Sequence, residues 1–400
     1  MIKYSVLIPS RNGGKYLYYA VKSILNNNYK NCEVIVSLNK TTDKSDIKIR
    51  QIKDQRLKII KTPKYFSMVR HYEWIIKKAK GEWITIVGDD DGVVKNFFVK
   101  IDEILKSVKK HDIQAISSSR AFYFWKGVEH IYGPTVVRYL DTGKIKIKSS
   151  KIELLKTLFG FSPYQNLPLL YTSGIVKRNL INEIIKKSKK KFFNEPNPDI
   201  YSALAVTSLT KKFLRVEKPL FWVGTSNKSN AVNLINDLDK KKLHIDNNNF
   251  INDSKKDGYF LSQRIDPYFW QIRLRSGFLF SAFYRLPKKI NKLYGNTFID
   301  YMLLIFLVCD SKNRRLPFTI EEKSFLEKRI KNYIYKKKKN FLIITVLSVF
   351  YLLILKIFDL IKKQNLKVTN FVYKNFFKKK FLYSKNRKKY WNILVANKHI

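Results

Sequence analysis

The stretch that most constrains this chain runs from Gly81 to Gly92 and reads Gly-Glu-Trp-Ile-Thr-Ile-Val-Gly-Asp-Asp-Asp-Gly. Trp83 to Gly88 is β-branched and aromatic with no charge, the pattern of a buried strand. Three consecutive carboxylates, Asp89, Asp90 and Asp91, stand where that run ends. In an open parallel sheet, ligands bind just beyond the C-terminal ends of the strands. Adjacent carboxylates repel one another, and a shared cation relieves the repulsion. Oxygen ligands suit Mg2+ or Mn2+, ions that usually bridge to phosphate oxygens. An isolated acidic triplet is more often a solvated turn. The apolar run directly before this one, in a chain poor in acids, favours a metal–diphosphate site.

That poverty is marked. The 400 residues carry 79 Lys and Arg against 31 Asp and Glu, a formal charge of +48. Abundant Lys, Asn, Ile, Phe and Tyr point to AT-rich coding, so part of the basicity is compositional. The rest suits an anionic partner, whether a lipid surface, a sugar nucleotide or nucleic acid. Cys32 and Cys309 lie in apolar runs without ligand or disulfide spacing, which implies core packing in a reducing compartment. The chain opens on a strand-like run without the pattern of a signal peptide, so a cytoplasmic location is expected.

Strand patterns at Tyr4–Pro9, Glu33–Leu38 and Leu57–Lys61 precede the Trp83 run. Helical spacing separates them at Tyr16–Leu25, Asp46–Lys53 and Met68–Ala79. This alternation predicts an α/β fold built on a parallel, doubly wound sheet. Further on, residues 121–140 read as two strands of a β-ribbon. Leu169–Val176, Phe213–Val216 and Leu220–Val223 are further strand candidates, with a helix at Ile200–Leu209. We therefore expect one domain over 1–230, then a basic, aromatic and largely helical region over 231–400.

Asn230–Lys256 reads as a linker. The apolar run Phe341–Leu355 is shorter than the roughly 20 residues that span a bilayer. Lys336–Lys339 precede it, and Lys356, Lys362 and Lys363 follow. An interfacial segment over 341–361 on an anionic membrane fits that pattern, and so does a buried helix of a C-terminal bundle.

Two blocks, Val6-Leu7-Ile8-Pro9-Ser10-Arg11-Asn12 and the Gly81–Asp91 stretch, occur in an order and spacing that resemble family 2 glycosyltransferases. The resemblance covers residues 3 to 230. It implies a GT-A fold and inverting sugar transfer dependent on Mn2+ or Mg2+. It further implies nucleotide contacts from Pro9, Ser10 and Arg11. The acidic residue usual at the end of the second strand is replaced by Leu38, leaving Asn39 to meet a uracil or thymine edge. Arg70 is a candidate partner for the diphosphate. Asp89 and Asp90 are expected to contact the donor, and the metal is expected among Asp89, Asp90 and Asp91: the spaced pair Asp89 and Asp91 and the central Asp90 both fit, with Asp90 and Asp91 expected at minimum. In such enzymes the base is an acid starting a helix after the acceptor-side strand. Here that place is held by Asp199, with Glu195 as the fallback.

The expected activity is transfer from a UDP-, dTDP- or GDP-sugar to a glycan or lipid-linked acceptor. Its setting would be cell-surface polysaccharide synthesis at the inner membrane face, with no specific nucleic acid as partner. The competing readings are a nucleic-acid-binding basic protein and an inactive scaffold of the same fold.

Overall fold

A computed structural model describes residues 2–229, 240–272, 274–312, 320–354, 380–386, 389 and 392–396. Its strands are β1 (Tyr4–Ser10), β2 (Cys32–Leu38), β3 (Leu57–Lys61), β4 (Trp83–Ile86), β5 (Gly92–Val93), β6 (Ala115–Phe124), β7 (Val137–Asp141), β8 (Ile145–Ser149), β9 (Gly174–Lys177), β10 (Lys212–Thr225) and β11 (Lys380–Ser384). The helices of the first part are α1 (Gly14–Leu25), α2 (Asp46–Arg50), α3 (Met68–Ile76), α4 (Phe97–Ser107), α5 (Glu129–Tyr132), α6 (Ser150–Leu158), α7 (Arg178–Lys187) and α8 (Pro198–Leu209). Beyond them lie α9 (Lys240–Lys256), α10 (Pro267–Gln271), α11 (Arg275–Arg285), α12 (Thr297–Lys312), α13 (Ile320–Lys336), α14 (341–354) and α15 (Ile393–Ala396).

The parallel block is β4-β1-β2-β3, as strand–helix alternation requires. The sheet as a whole is mixed: β9 runs antiparallel to both β4 and β6, and β7 runs antiparallel to β6. It is an α/β sheet flanked by helices, as a GT-A fold demands, and β10 adds a parallel pairing with β6 beyond the first block. Phe213–Val216 and Leu220–Val223 are parts of the one bulged strand β10. The Leu169–Val176 candidate shrinks to β9, because the residues before Gly174 turn back so closely that a Cβ there would lie 1.7 Å from the Leu169 carbonyl oxygen.

Period-two alternation divides the sheet between two cores. Val6, Ile8, Val34 and Val36 face α1 and α4. Leu7, Ile35, Ile84 and Ile86 face α3, α7 and α8. The second core continues without a break into α11, α12 and α13. The change of character near residue 230 thus marks a change of composition, while the packing runs across it.

Two expectations change in this region. The supposed linker contains α9, and residues 230–239 lie outside the described part. The 231–400 region is expected to follow the first domain, yet its last described residues return to it: β11 pairs with β7, and Ile393 packs beside Tyr16 and Trp222. Cys32 and Cys309 are buried and unpaired.

Candidate active site

Strands β1 and β4 are parallel neighbours, so the turns at their C-terminal ends meet. Ser10 Oγ, at the end of β1, donates to Asp89 Oδ2 at 2.6 Å. A Cβ at Gly13 would fall 2.7 Å from the same carboxylate oxygen, so the loop after β1 closes on Asp89 because it carries no side chain there. Asp90 Oδ2 accepts from Ser226 Oγ at 2.8 Å and from Ser229 Oγ. Its carbonyl accepts from the Trp125 indole at 3.0 Å. Asp91 is held differently. Oδ1 accepts from Gly224 N at 2.8 Å, and Oδ2 from Thr172 Oγ1 at 2.5 Å and Gly88 N at 3.1 Å.

Burial raises the pKa of all three carboxyls, and the Asp90 charge adds to the rise at Asp89 and Asp91. Uncompensated negative charge of this sort is what a bound cation removes. Asp89 and Asp90 are oxygen donors that could hold a small hard cation such as Mg2+. A three-aspartate set does not form. Among the described residues, no three His, Cys, Asp or Glu side chains are arranged to hold a metal ion together. The reason is local: Thr172 and Gly224 draw the Asp91 carboxylate into the scaffold of the turn.

The nucleotide-binding expectations divide. Pro9 and Ser10 are buried at the end of β1 against the acidic turn. Arg11 is exposed, with its guanidinium 4.3 Å from the Tyr65 ring centre. Asn39 does not present its amide to a base edge. Its Nδ2 donates to Phe66 O, and its Oδ1 accepts from Phe66 N and Thr62 Oγ1, so the buried amide holds the 62–66 loop. Arg70 stacks over Phe66 at 5.0 Å and is felt by Lys191 and Tyr259, on the side of α3 that faces the later helices. A diphosphate role for Arg70 is not supported by that placement. His71 is buried against Ser37 Oγ at 2.8 Å, and burial pushes its pKa down to about 4.

Asp199 stands in the first turn of α8, after Pro198. Its Oδ2 accepts from Tyr164 Oη at 2.8 Å and its Oδ1 from Ile200 N at 2.9 Å. Burial raises its pKa, while Tyr164 and the nearby Arg120 act the other way. The Tyr72 phenol lies among Asp199, Asp91 and Asp89; burial first, then these charges, push its pKa well up. The 170–172 segment joins the two carboxylate centres: Thr172 Oγ1 holds Asp91, and Leu170 N donates to Ser202 Oγ, which donates to Asp199 O. Glu195, the fallback base, is fully buried, accepting from Asn197 N and the Trp270 indole, and is not open to the cleft.

Residues 5–164 match the sequence profile of glycosyl transferase family 2. This region belongs to that family. The chain is also similar to the glycosyltransferase GlyG of Streptococcus pneumoniae serotype 4, at 26% identity over 215 residues. That match takes in 50% of this chain and 65% of the relative, so the chain spans just under two thirds of GlyG. An uncharacterized glycosyltransferase of Haemophilus influenzae is 24% identical over 54% of this chain and 79% of its own. Among solved structures, S. aureus TarS 1-349 in complex with UDP-GlcNAc aligns with 85% of this chain and 93% of that one, at 11% identity and a TM-score of 0.44.

Several residues that shape the site of this family 2 domain reach it from far along the chain. Glu73 accepts from Phe192 N and Phe193 N and so anchors the loop leading to Asp199. Lys228 Nζ bridges Asn12 O and Asp43 Oδ2 beside Asp89. Tyr164, Thr172 and Ser226 lie 35, 81 and 136 residues from the carboxylates they serve. Two positions leave a trace in the backbone: Ser173, next to the threonine that holds Asp91, has a φ of 153° that L residues rarely adopt, and Asn12, next to the glycine that closes on Asp89, has a φ of 59°.

Proposed function

We propose that this protein is an inverting glycosyltransferase that moves a sugar from a nucleotide diphosphate to an acceptor hydroxyl. The observation that carries this reading is that the 170–172 segment ties the acidic turn of the matched region, through Thr172 and Asp91, to the helix start at Asp199, through Leu170 and Ser202. Inversion needs one carboxylate to take the acceptor proton while the acceptor oxygen attacks the anomeric carbon. Asp199 suits that task. It is half-buried, oriented by Tyr164 and Ile200 N, and made more basic by burial. Asp89 and Asp90 would hold Mn2+ or Mg2+, which when bound neutralises the charge of the departing diphosphate. Asp91 acts one step back, fixing the turn that presents them. Pro9, Ser10 and Arg11 line the donor side.

We place the enzyme at the cytoplasmic membrane face, acting on a glycan or lipid-linked acceptor. Leu342, Ile343, Val346, Phe350 and Leu353 of α14 are exposed, and Lys336–Lys339 stand directly before that helix. Among the described residues no helix is long and apolar enough to cross a membrane, so α14 would lie in the interface. The donor is identified by a panel of UDP-, dTDP- and GDP-sugars with and without Mn2+, and the product anomer by NMR. Asp199→Asn is expected to slow transfer at least about 100-fold, the scale of general-base catalysis, with donor binding retained. Equal loss of transfer and donor binding would reduce Asp199 to a structural residue, and a retained anomer would refute inversion.

A further inference from the structure

A cavity of about 760 Å3 opens over strands β6, β7, β8 and β10, next to the turn whose Tyr164 donates to Asp199. Arg120, Arg138 and Arg215 line it, together with Gln165 and Asn166 of the turn that carries Tyr164. In this chain arginine is the informative cation. Lysine follows the coding bias and is spread throughout, whereas arginine supplies only 16 of the 79 basic residues. Three of those converge here.

The guanidiniums are arranged to receive an anion. Arg215 reaches Ser117 Oγ and Ser118 O, both at 2.9 Å, without a carboxylate partner among the described residues. Burial, with Arg120 close by, lowers its pKa, against the pull of Glu217 and Glu153. Arg120 donates to Ser173 Oγ at 3.2 Å, and its Nε is shielded from solvent with no hydrogen-bond partner. The two glutamates of the cavity are engaged elsewhere, Glu217 by Lys146 and Thr142, Glu153 by Lys156. Two neighbouring guanidiniums, half-buried and held by serine hydroxyls and carbonyl oxygen, leave positive charge uncompensated. Their planar donor sets match carboxylate and phosphate oxygens. The cavity also leads to the chemistry: Arg120 touches Ser173, whose neighbour Thr172 holds Asp91, and Asp199 lies within reach of the Arg120 charge.

We propose that this cavity is an acceptor subsite in which Arg120 and Arg215 bind an oxyanion, carboxylate or phosphate, carried by the acceptor glycan. The role as acceptor subsite rests on the glycosyltransferase reading above; the anion site itself does not.

The test is calorimetric titration of the full chain with glucuronate, glucose 1-phosphate and neutral glucose, with UDP and Mn2+ present to fill the donor side. At least one anionic probe is expected to bind tenfold or more tightly than glucose. Arg215→Gln and Arg120→Gln should each weaken it tenfold or more, and the exposed control Arg50→Gln should leave it unchanged. Arg215→Lys keeps the charge without the planar fork, and is expected to weaken binding in a chain that melts like the wild type. A preference for glucose 1-phosphate assigns a phosphorylated acceptor, and a preference for glucuronate an acidic sugar. Anions binding no better than glucose, or arginine variants binding like the wild type, would overturn the subsite. Absence of UDP binding would count against the transferase reading alone, since anion binding is read separately.

Discussion

The acidic turn and helix α14 each break the ordinary rule of burial, in opposite senses. At the turn, Asp90 and Asp91 are buried although charged. On α14, Leu342 and Phe350 are 70% and 60% exposed although apolar. The buried carboxylates have partners inside the chain: Ser10, Ser226 and Ser229, with Thr172 and Gly224. The exposed face of α14 has none that the described residues supply, although its other face, through Ile344 and Tyr351, joins the main core. Buried charge is costly unless nearly every lone pair is met, so its geometry is dictated from within. Exposed apolar surface is inexpensive for a folded chain and gains meaning only from what covers it.

The comparison can be broken most severely at Gly224. A Cβ there would stand 1.6 Å from the Asp90 carbonyl oxygen, while the Gly224 amide holds Asp91. Gly224→Ala is expected to cost roughly 3 kcal/mol or more, at the high end for point changes, and to abolish transfer. A variant that melts within a degree of the wild type would show that the turn is not organised from within.

Phe306 tests the junction of the two regions. Its ring lies 2.6 Å from where a Gly160 side chain would begin, and it packs near Phe280. Phe306→Ala should cost about 3 kcal/mol within a single unfolding transition. Two separate transitions would mean that the later helices fold apart from the sheet.

Glu195 refines the same junction through pH. Burial pushes its carboxyl from an ordinary 4.5 up to about 8. Between those values the folded chain keeps the proton that the unfolded chain loses. Its contribution to stability is therefore full below pH 4.5 and declines as the pH rises to about 8. Melting temperatures at pH 5 and pH 9 should differ more in the wild type than in Glu195→Gln. Equal differences would place Glu195 in a more polar setting than its contacts with Trp270 and Ser281 imply.

The smallest effect on stability is expected on the exposed face of α14. Leu342→Ser with Phe350→Ser should change stability by no more than about 0.5 kcal/mol, as for most surface substitutions. Sedimentation with anionic vesicles should nevertheless be lost. Undiminished sedimentation would remove α14 from any membrane contact.

Much was legible in the sequence because it rests on local pattern. Alternating apolar runs and helical spacing define the β1–β4 block, and an uncharged run ending in Asp89-Asp90-Asp91 marks where its strands stop. Asp199, just after Pro198, announces a helix start. These features depend on neighbours a few residues apart, where periodicity carries the information.

Tertiary structure alone decided which polar groups remain available. Asn39 and Asp91 read as ligands in the sequence, yet Phe66 and Thr62 claim the first, and Thr172 and Gly224 the second. Glu73 and Glu195 became supports for the loop before Asp199, and the pairing of β6 with β10 brought Arg120 and Arg215 to one cavity. A side chain has few hydrogen-bonding positions, and the partners that fill them come from tens to more than a hundred residues away. No local pattern encodes that competition, so the sequence by itself determined the stretches that make up the candidate site, and the fold decided which of their polar atoms already have partners.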